Sequence, residues 1–582
     1  MSHEPQDGIE LRERDESMAA GNAQVGLESI DPINDYMERG LPSLNHKPFF
    51  LRAWVLLCAA LMNIGWIIWL AIAYAEPLWQ GPDFILDGLF SGYIATAAKF
   101  LITQQVLNVG KIMPYRNMRY PAGRNVHNTI DSDYWPYEWP VVRFRAIRNG
   151  DYFFQFVDIV AFIFTFAVVQ FGSNVLSQQY DTNGNFLGYA PNRGVIIIVI
   201  ICHSAFIVTT LAILVWLQLK ETGLLADPGY LSLYLSIFNK GDIQEDFQGL
   251  EDEDRRWIVR QHLAQNEYRI GYWPKGPKSA VYGIRRRKIS ENIPSHSSFK
   301  PRSPTKYPEF RYIPWFLASF WVCTWTSLLT AALAIMTTLV TRDDIIHFGF
   351  PPYVSTTVTP FVDVSPAQFL WSFFPSFAAD LFLLLVQSID TFYRLVQPYV
   401  DLKRKEAKPK LIINCFRINY NNDLPLIVTI RALKNGHFKL AFISLFALFA
   451  TLTPAWAANM FYVQNSWIAV WTRYFYPMLV YMCLLILFLL WTIPDQSRYM
   501  PRDLETIADH MALFSQSSLL DNGEFQQELP MSPIRTSPRV VSTYGSPASM
   551  GAKSNKKQGL ERNVLGSQAS LHWSPGACRE RD

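Results

Sequence analysis

The sequence predicts an all-α polytopic membrane protein: eight transmembrane helices arranged as two parallel four-helix repeats, with both termini cytosolic. Three observations predict it. Half of the 582 residues are hydrophobic and only 17% are charged, below the roughly one quarter usual in soluble domains. The apolar residues gather in blocks long enough to cross a bilayer, which takes about 20 residues. Basic residues fall on alternate loops between those blocks, as expected when short Lys- and Arg-rich loops stay in the cytosol.

Seven blocks are plain: 53–75, 153–172, 194–219, 314–340, 368–390, 438–457 and 474–493. An eighth, 85–107, is weaker because it holds Lys99, Gln104 and Gln105. Loop charge restores it. With eight spans, the loops at 76–84, 173–193, 341–367 and 458–472 carry only Arg193 and Arg342 as basic residues. The loops at 108–152, 220–313 and 391–437 carry seven, sixteen and nine. Trp66, Trp69, Trp315 and Trp491 near span ends fit interfacial anchoring.

The chain repeats itself. AIRNGDY (146–152) matches ALKNGHF (432–438), and each leads into a span. PFFL (48–51) matches PWFL (314–317) ahead of a first span. KIMPYRNM (111–118) and RLVQPYVDL (394–402) share a Pro-Tyr pair after a second span. ADPGYLSLYLSIF (226–238) faces RDLETIADHMALF (502–514) after a fourth. Ordered matches at near-constant spacing point to a duplicated four-span unit, and an even span count keeps both copies in one orientation. Parallel repeats of this kind occur in transporters. The duplication sets 85–107 against 369–391, which supports it as a span. Asp151 against His437 is the one unlike pair in the turn.

The expected domains are a disordered N-terminus (1–47), a first repeat (48–219) and a cytosolic linker subdomain with short amphipathic helices (220–313). A second repeat (314–493), a short cytosolic helix (494–521) and a disordered tail (522–582) follow. In the linker, Asp227-Pro228-Gly229 suits a helix start, with Leu231, Leu235 and Phe238 at helical spacing. Trp257 to Leu263 suggests a second short helix.

TGLLADPGYLSLYLSIFNKGDIQEDFQGL (222–250), YRIGYW (268–273) and YGI (282–284) resemble a repeated unit of fungal multi-spanning membrane proteins, a domain of unknown function. FPSFAADLFLLLVQSIDTFYRLVQPYVDL (374–402) and 420–438 resemble the second half of that unit. The second copy departs from the pattern, lacking Asp-Pro after its last span and the Tyr-Arg-Ile-Gly-Tyr-Trp string. The resemblance implies no activity, cofactor or catalytic residue.

Ionisable groups at bilayer depth are costly and mark function by default. Lys99, Asp158 and Asp380 qualify. Lys99 and Asp380 lie on equivalent helices, and by offset Asp380 matches Thr96, about 4.5 Å along the helix from Lys99. They are expected to pair between the copies; snorkelling of Lys99 to the interface is the alternative. Asp158, near a span end, reads as structural. His203, alone in an apolar span, reads as a satisfied buried histidine. Arg285, Arg286, Arg287 and Lys288 form a basic run suited to anionic lipid, at about 1 kcal/mol per residue, or to setting topology. Ser-Pro pairs at Ser303, Ser532, Ser537, Ser546 and Ser574 are candidate phosphorylation sites, each adding nearly two negative charges.

No motif of an enzyme or a nucleic-acid binder is present, and a net charge of +3 gives no reason to expect nucleic acid. The six cysteines form no CxxC pair, so neither metal site nor disulfide framework is expected. The polar first 47 residues argue against a cleaved signal peptide. The expected function is a non-catalytic membrane organiser without cofactor, in the plasma membrane or an endomembrane. Its expected partners are the bilayer, anionic lipids and cytosolic proteins. The alternative is a small-solute transporter or channel with a site between the repeats.

Overall fold

The computed structural model describes most of residues 32–530; stretches of eight or more residues outside it are 80–87, 135–145, 289–311, 355–364, 404–417 and 516–527. The first long helices are α1 (Ala53–Ala75), α2 (Gly88–Met118), α3 (Tyr152–Gly172) and α4 (Arg193–Leu219). Three short helices follow, α5 (Leu231–Phe238), α6 (Gly241–Phe247) and α7 (Arg256–Leu263). Then come α8 (Ser319–Thr341), α9 (Pro366–Lys403), α10 (Pro425–Lys434), α11 (Phe438–Ala450), α12 (Thr453–Ala458), α13 (Thr472–Thr492) and α14 (Ile507–Phe514). Pro454 stands in the first turn of α12, where it lacks the N–H that would continue α11.

Among the described residues seven helical segments are long and apolar enough to cross a membrane: α1, α3, α4, α8, α9, α11 with α12, and α13. Of the expected span at 85–107, residues 85–87 lie outside the described residues and the rest lies in α2, whose Lys99, Gln104, Gln105, Asn108 and Lys111 make it the most polar of the long helices. Both α2 and α9 outrun the expected spans, to Met118 and Lys403, and carry the matched prolines Pro114 and Pro398 inside them. The free carbonyls that such prolines create are tolerated where neighbours re-satisfy them.

The elements pack in corresponding ways in the two halves. α1 lies against α4 and α8 against α13; α2 lies against α3, and α9 against α11 and α12. Between its third and fourth long helices each half has a hairpin, β2 (Leu176–Tyr180) with β3 (Phe186–Pro191) and β6 (Phe461–Gln464) with β7 (Trp467–Val470). Each hairpin takes a bridge from the loop before its second helix. Trp79 and Tyr189 exchange both backbone bonds at 2.8 and 3.1 Å; Phe350 and Ile468 do so at 3.0 and 2.9 Å. At the other end the segment entering each half binds the segment leaving it, His46 N–H to Leu224 C=O at 2.9 Å and Tyr312 N–H to Met500 C=O at 2.7 Å.

The fold is not all-α. Beyond the basic ends of the helices lies a four-stranded antiparallel sheet in the order β1 (Arg124–Asn125), β4 (Asn266–Gly276), β5 (Ser279–Lys288) and β8 (Glu528–Pro530). YRIGYW and VYGI are its two central strands, with Ile270 opposite Ile284 and Tyr272 opposite Tyr282. Two apolar strands whose faces are both covered are the stable answer for such aromatic and β-branched runs. Residues 220–313 thus supply two central strands as well as short helices. Asp227 also differs from its expected role. Its Oδ1 accepts from the Gly229 N–H at 2.9 Å, a turn two residues long, and the helix starts later at Leu231.

Both expected disordered ends contribute. Ile33, Tyr36, Leu41 and Leu44 are buried, and the Ile33 N–H binds the Tyr272 carbonyl at 2.9 Å. The Tyr36 ring lies 5.5 Å from that of Tyr272 on β4, and the Leu44 carbonyl accepts from the Gly223 N–H at 2.9 Å. Glu528–Pro530 pairs with Ser279–Val281 as the edge strand, so the tail beyond 522 is partly ordered. α14 starts on a capping box, Thr506 and Asp509, and its Ala508 N–H binds the Ile130 carbonyl at 2.8 Å. Segments from far apart in the chain thus build one platform under the helices.

Candidate functional site

Lys99 sits midway along α2, close to the place where the two halves meet. Close approach is possible there because Gly92 lacks a side chain: a Cβ would come within 2.7 Å of Ser173 Oγ and 3.3 Å of Ala455 Cβ. Small residues at helix contacts serve this purpose in membranes, where packing rather than apolar burial holds helices together.

The Lys99 ammonium donates to Asp380 Oδ1, and Asp380 Oδ2 accepts from Gln170 Nε2 at 2.8 Å. The three side chains come from α2, α9 and α3, so one carboxylate of the second half is held by two groups of the first. The side-chain exposures are 7% for Lys99 and 0% for Asp380. Such burial excludes snorkelling of Lys99 in this structure, because its ammonium is engaged by Asp380. A desolvated pair of this kind holds position more than it adds stability, since breaking it leaves a stranded charge.

Polar contacts continue from this cluster towards the hairpins. Asn174 Nδ2 donates to Ser372 Oγ at 2.7 Å, and Ser372 Oγ donates to the Ala458 carbonyl at 2.8 Å. Ser376 Oγ donates to the Pro454 carbonyl at 2.9 Å, and Trp456 Nε1 donates to Tyr93 OH at 2.9 Å. Gln368 bridges Asn174 and the Val463 N–H. Gln170 Oε1 and Ser173 Oγ are buried without a hydrogen-bond partner among the described residues.

A second feature lies at the basic end. A cavity of about 80 Å³ opens between α2 and α9, lined by the matched Pro114 and Pro398, Tyr115 and Tyr399, with Lys111, Tyr234 and His510. Lys111 is four residues beyond the span read at 85–107, and about 18 Å along the helix from Lys99. Its ammonium donates to the Asn421 carbonyl at 3.0 Å and to Asn422 Oδ1 at 2.7 Å. Burial lowers its pKa to about 8, with Asp227 opposing that shift. Tyr399 OH pairs with His510 Nδ1 at 2.6 Å, and the Tyr234 ring stacks on His510 at 4.5 Å. None of the cavity's lining residues reaches the depth of Lys99 and Asp380.

Two residues of the basic run have described partners. Arg286 forms an ion pair with Asp246 and reaches Glu245 at 3.4 Å. Burial raises the Asp246 pKa while Arg286 opposes the rise. Arg285 stacks over Trp273 at 5.0 Å. Arg287 and Lys288 lie on β5, but their side chains fall outside the described residues, as do Ser303, Ser532, Ser537, Ser546 and Ser574. Asp158 is buried, at 3% exposure. His203 Nδ1 lies 2.5 Å from Asn63 Oδ1, and its ring meets the Phe164 edge.

Sequence reasoning missed the polar contacts of three aspartates. Asp390 at the end of its span accepts from Ser444 at 2.5 Å and pairs with Arg394 at 2.5 Å. The i,i+4 spacing of Asp390 and Arg394 was the available signal. Asp401 lies 3.0 Å from His437 Nε2, and Asp151 accepts from Asn117 Nδ2 at 3.2 Å; nothing local marks either pair. Among the described residues no group of three or more His, Cys, Asp or Glu side chains is placed to hold a metal ion.

Fold and site together define a mainly helical integral membrane protein with an internal repeat, its two halves joined by a buried charge pair. The family model described as "Protein of unknown function (DUF3433)" matches twice, at residues 91–176 and 369–462. That domain therefore occurs twice in the chain, and each copy runs from the second helix of its half, through the Asn-Gly turn and the third, into the hairpin. No curated protein and no solved structure matches the chain.

Proposed function

We propose that the protein is a non-catalytic membrane organiser. In this reading eight helices span the bilayer as two parallel four-helix units, with both termini and the platform cytosolic. The basic residues on the 108–152, 220–313 and 391–437 loops support that orientation. The observation that carries the organiser reading is the platform itself. Residues from 33 to 530 converge on β4 and β5 at one end of the helices, where they present a rigid surface tied to a membrane anchor. The Lys99–Asp380 pair acts in this reading as a clamp between the two units.

Two experiments test it. Cysteines placed at Gln178 and Gln464 in the hairpins should react with an impermeant maleimide from outside intact cells, and one at Met37 only after permeabilisation. The reverse pattern would overturn the orientation. Truncation after Met531 should change the lateral distribution of the tagged protein in its membrane while leaving its thermal unfolding intact. An unchanged distribution would count against the organiser.

The second reading, a small-solute pathway between the units, is favoured by the polar row from Asp380 to Gln368 and by Gln170 Oε1 and Ser173 Oγ, which have no hydrogen-bond partner among the described residues. Solute flux into proteoliposomes that Gln170→Leu abolishes would establish it in place of the organiser.

A further inference from the structure

α10 has two faces of different exposure. Val428, Thr429 and Ala432 are buried against the protein. Leu426, Ile430 and Leu433, spaced i, i+4 and i+7, form an opposite face with Ile427, and their exposures run from 39 to 53%. Four large aliphatic side chains on a helix of 10 residues make an apolar stripe that no described residue covers. Water is a poor environment for it: at about 25 cal/mol per Å² of apolar surface, four such side chains left wet forgo several kcal/mol.

The surroundings say what covers the stripe. α10 ends in the Asn435-Gly436 turn and feeds directly into α11, whose Phe438 and Phe442 are 62% and 57% exposed. Those residues belong to the outer surface of a helix long and apolar enough to span, so the stripe continues the surface that faces acyl chains. At the same level Lys439 places its ammonium 5.6 Å over the Trp491 ring, the pairing of Lys with Trp typical of a headgroup boundary. Arg431 and Lys434 stand in the last turn of α10, where a leaflet's phosphates are within reach of long basic side chains. The first domain copy carries a trace of the same face: Ile147, which matches Leu433, is 42% exposed and Tyr152 is 69% exposed.

We infer that α10 is an interfacial helix, lying along the leaflet at the platform end with Leu426, Ile427, Ile430 and Leu433 inserted at the headgroup–acyl boundary. Short amphipathic helices with basic residues beside an apolar face bind in this way. The helix fixes the depth at which the second copy sits, and it does so under either functional reading.

The test is a depth measurement on the full chain in vesicles of phosphatidylcholine and phosphatidylserine. An environment-sensitive fluorophore is attached at Ile430→Cys, and separately at Leu426→Cys and Leu433→Cys, in a chain whose native cysteines are replaced by serine or alanine. Met37→Cys, at a position 63% exposed on the platform, is the water control, and Leu328→Cys, midway along α8 and 52% exposed, is the deep control. The α10 labels should be quenched by lipids carrying a shallow nitroxide and shielded at least several-fold from aqueous iodide relative to the Met37 label. Iodide quenching equal to that at Met37 would overturn the inference, because the stripe would face water. Shielding from both quenchers would also overturn it, because a protein surface would then cover the stripe. Because all three labelled positions are exposed, the label does not have to displace a core contact.

Discussion

The two Asn-Gly turns differ at the position where the sequence repeat is least faithful, and the difference is compensated. In the first copy Asp151 accepts from Asn117 Nδ2, at the end of α2, and from Tyr134 OH. In the second, His437 sits between Asp401, at the end of α9, and Tyr420 OH, at 3.0 and 2.8 Å. Asn149 donates to Tyr134 OH at 3.3 Å, as Asn435 does to Tyr420 OH at 2.9 Å. Every member has its counterpart 284 or 286 residues on. What changed is which side carries the carboxylate: in one copy it is on the turn and accepts from the helix-end amide, in the other it is on the helix end and faces the imidazole of the turn. Asp151 against His437 is thus half of a paired exchange, because a buried acceptor needs a donor opposite it.

The largest expected effect lies where the copies meet rather than where they match. Asp380 corresponds to Thr96 and Lys99 to Leu383, so each copy gives one charge and the pair exists only between them. Asp380→Ala should cost about 3–5 kcal/mol by stranding the Lys99 ammonium, read as thermal unfolding in detergent. Lys99→Met combined with Asp380→Leu should recover most of that loss. If the double variant instead loses the sum of the two single effects, the residues act independently and the clamp is wrong.

Next comes the exchange in the turns. Asn117→Asp alone sets two carboxylates together and should cost about 1–3 kcal/mol, the penalty of an unmet buried polar group. Adding Asp151→His rebuilds the second copy's pair within the first and should restore much of the loss. A combined variant no better than the sum of its parts would reduce the correspondence to one of backbone shape.

What could be read from the sequence follows from how local each signal is. The long helices are legible because a span is a contiguous run, and the Lys99–Asp380 register because an internal repeat converts sequence offset into height along a helix. The platform is not. Its central strands carry Arg269, Arg285, Arg286 and glycine beside their apolar residues, and their edge partners stand at 124–125 and 528–530, far away in the chain. Asn117 lies 34 residues from Asp151, and Asn63 lies 140 from His203. No periodicity joins such residues, so only the fold reveals how these buried polar groups are answered.

A smaller difference separates Lys111 from its counterpart Leu395, both of which line the cavity between α2 and α9. Burial lowers the pKa of this lysine to about 8 from its ordinary 10.5. Between those values the unfolded chain holds more protons than the folded one, so stability rises with pH. The wild type should therefore gain stability relative to Lys111→Leu as pH is raised from about 8 towards 10.5. The difference between the two proteins isolates this group from other titrations. A constant difference across that window would show that Lys111 is not desolvated in the native protein.

The smallest effect should also be the most even between the copies. Gly150 and Gly436 have φ of +74° and +77°, and each turn closes with the same two backbone bonds. Gly150 N–H binds Ile147 C=O at 3.0 Å and Asp151 N–H binds Ala146 C=O at 3.0 Å; Gly436 N–H binds Leu433 C=O at 3.1 Å and His437 N–H binds Ala432 C=O at 2.8 Å. This is a helix C-terminus with a left-handed residue after it. A Cβ at either position meets nothing within 4 Å, so alanine is penalised by backbone conformation alone, about 1–2 kcal/mol. Gly150→Ala and Gly436→Ala should lower stability by the same amount within error, and asparagine at either site should cost less than alanine. A clear inequality between the two alanine variants would mean that the turns share a sequence but carry different loads, and that the likeness of the copies ends at the backbone.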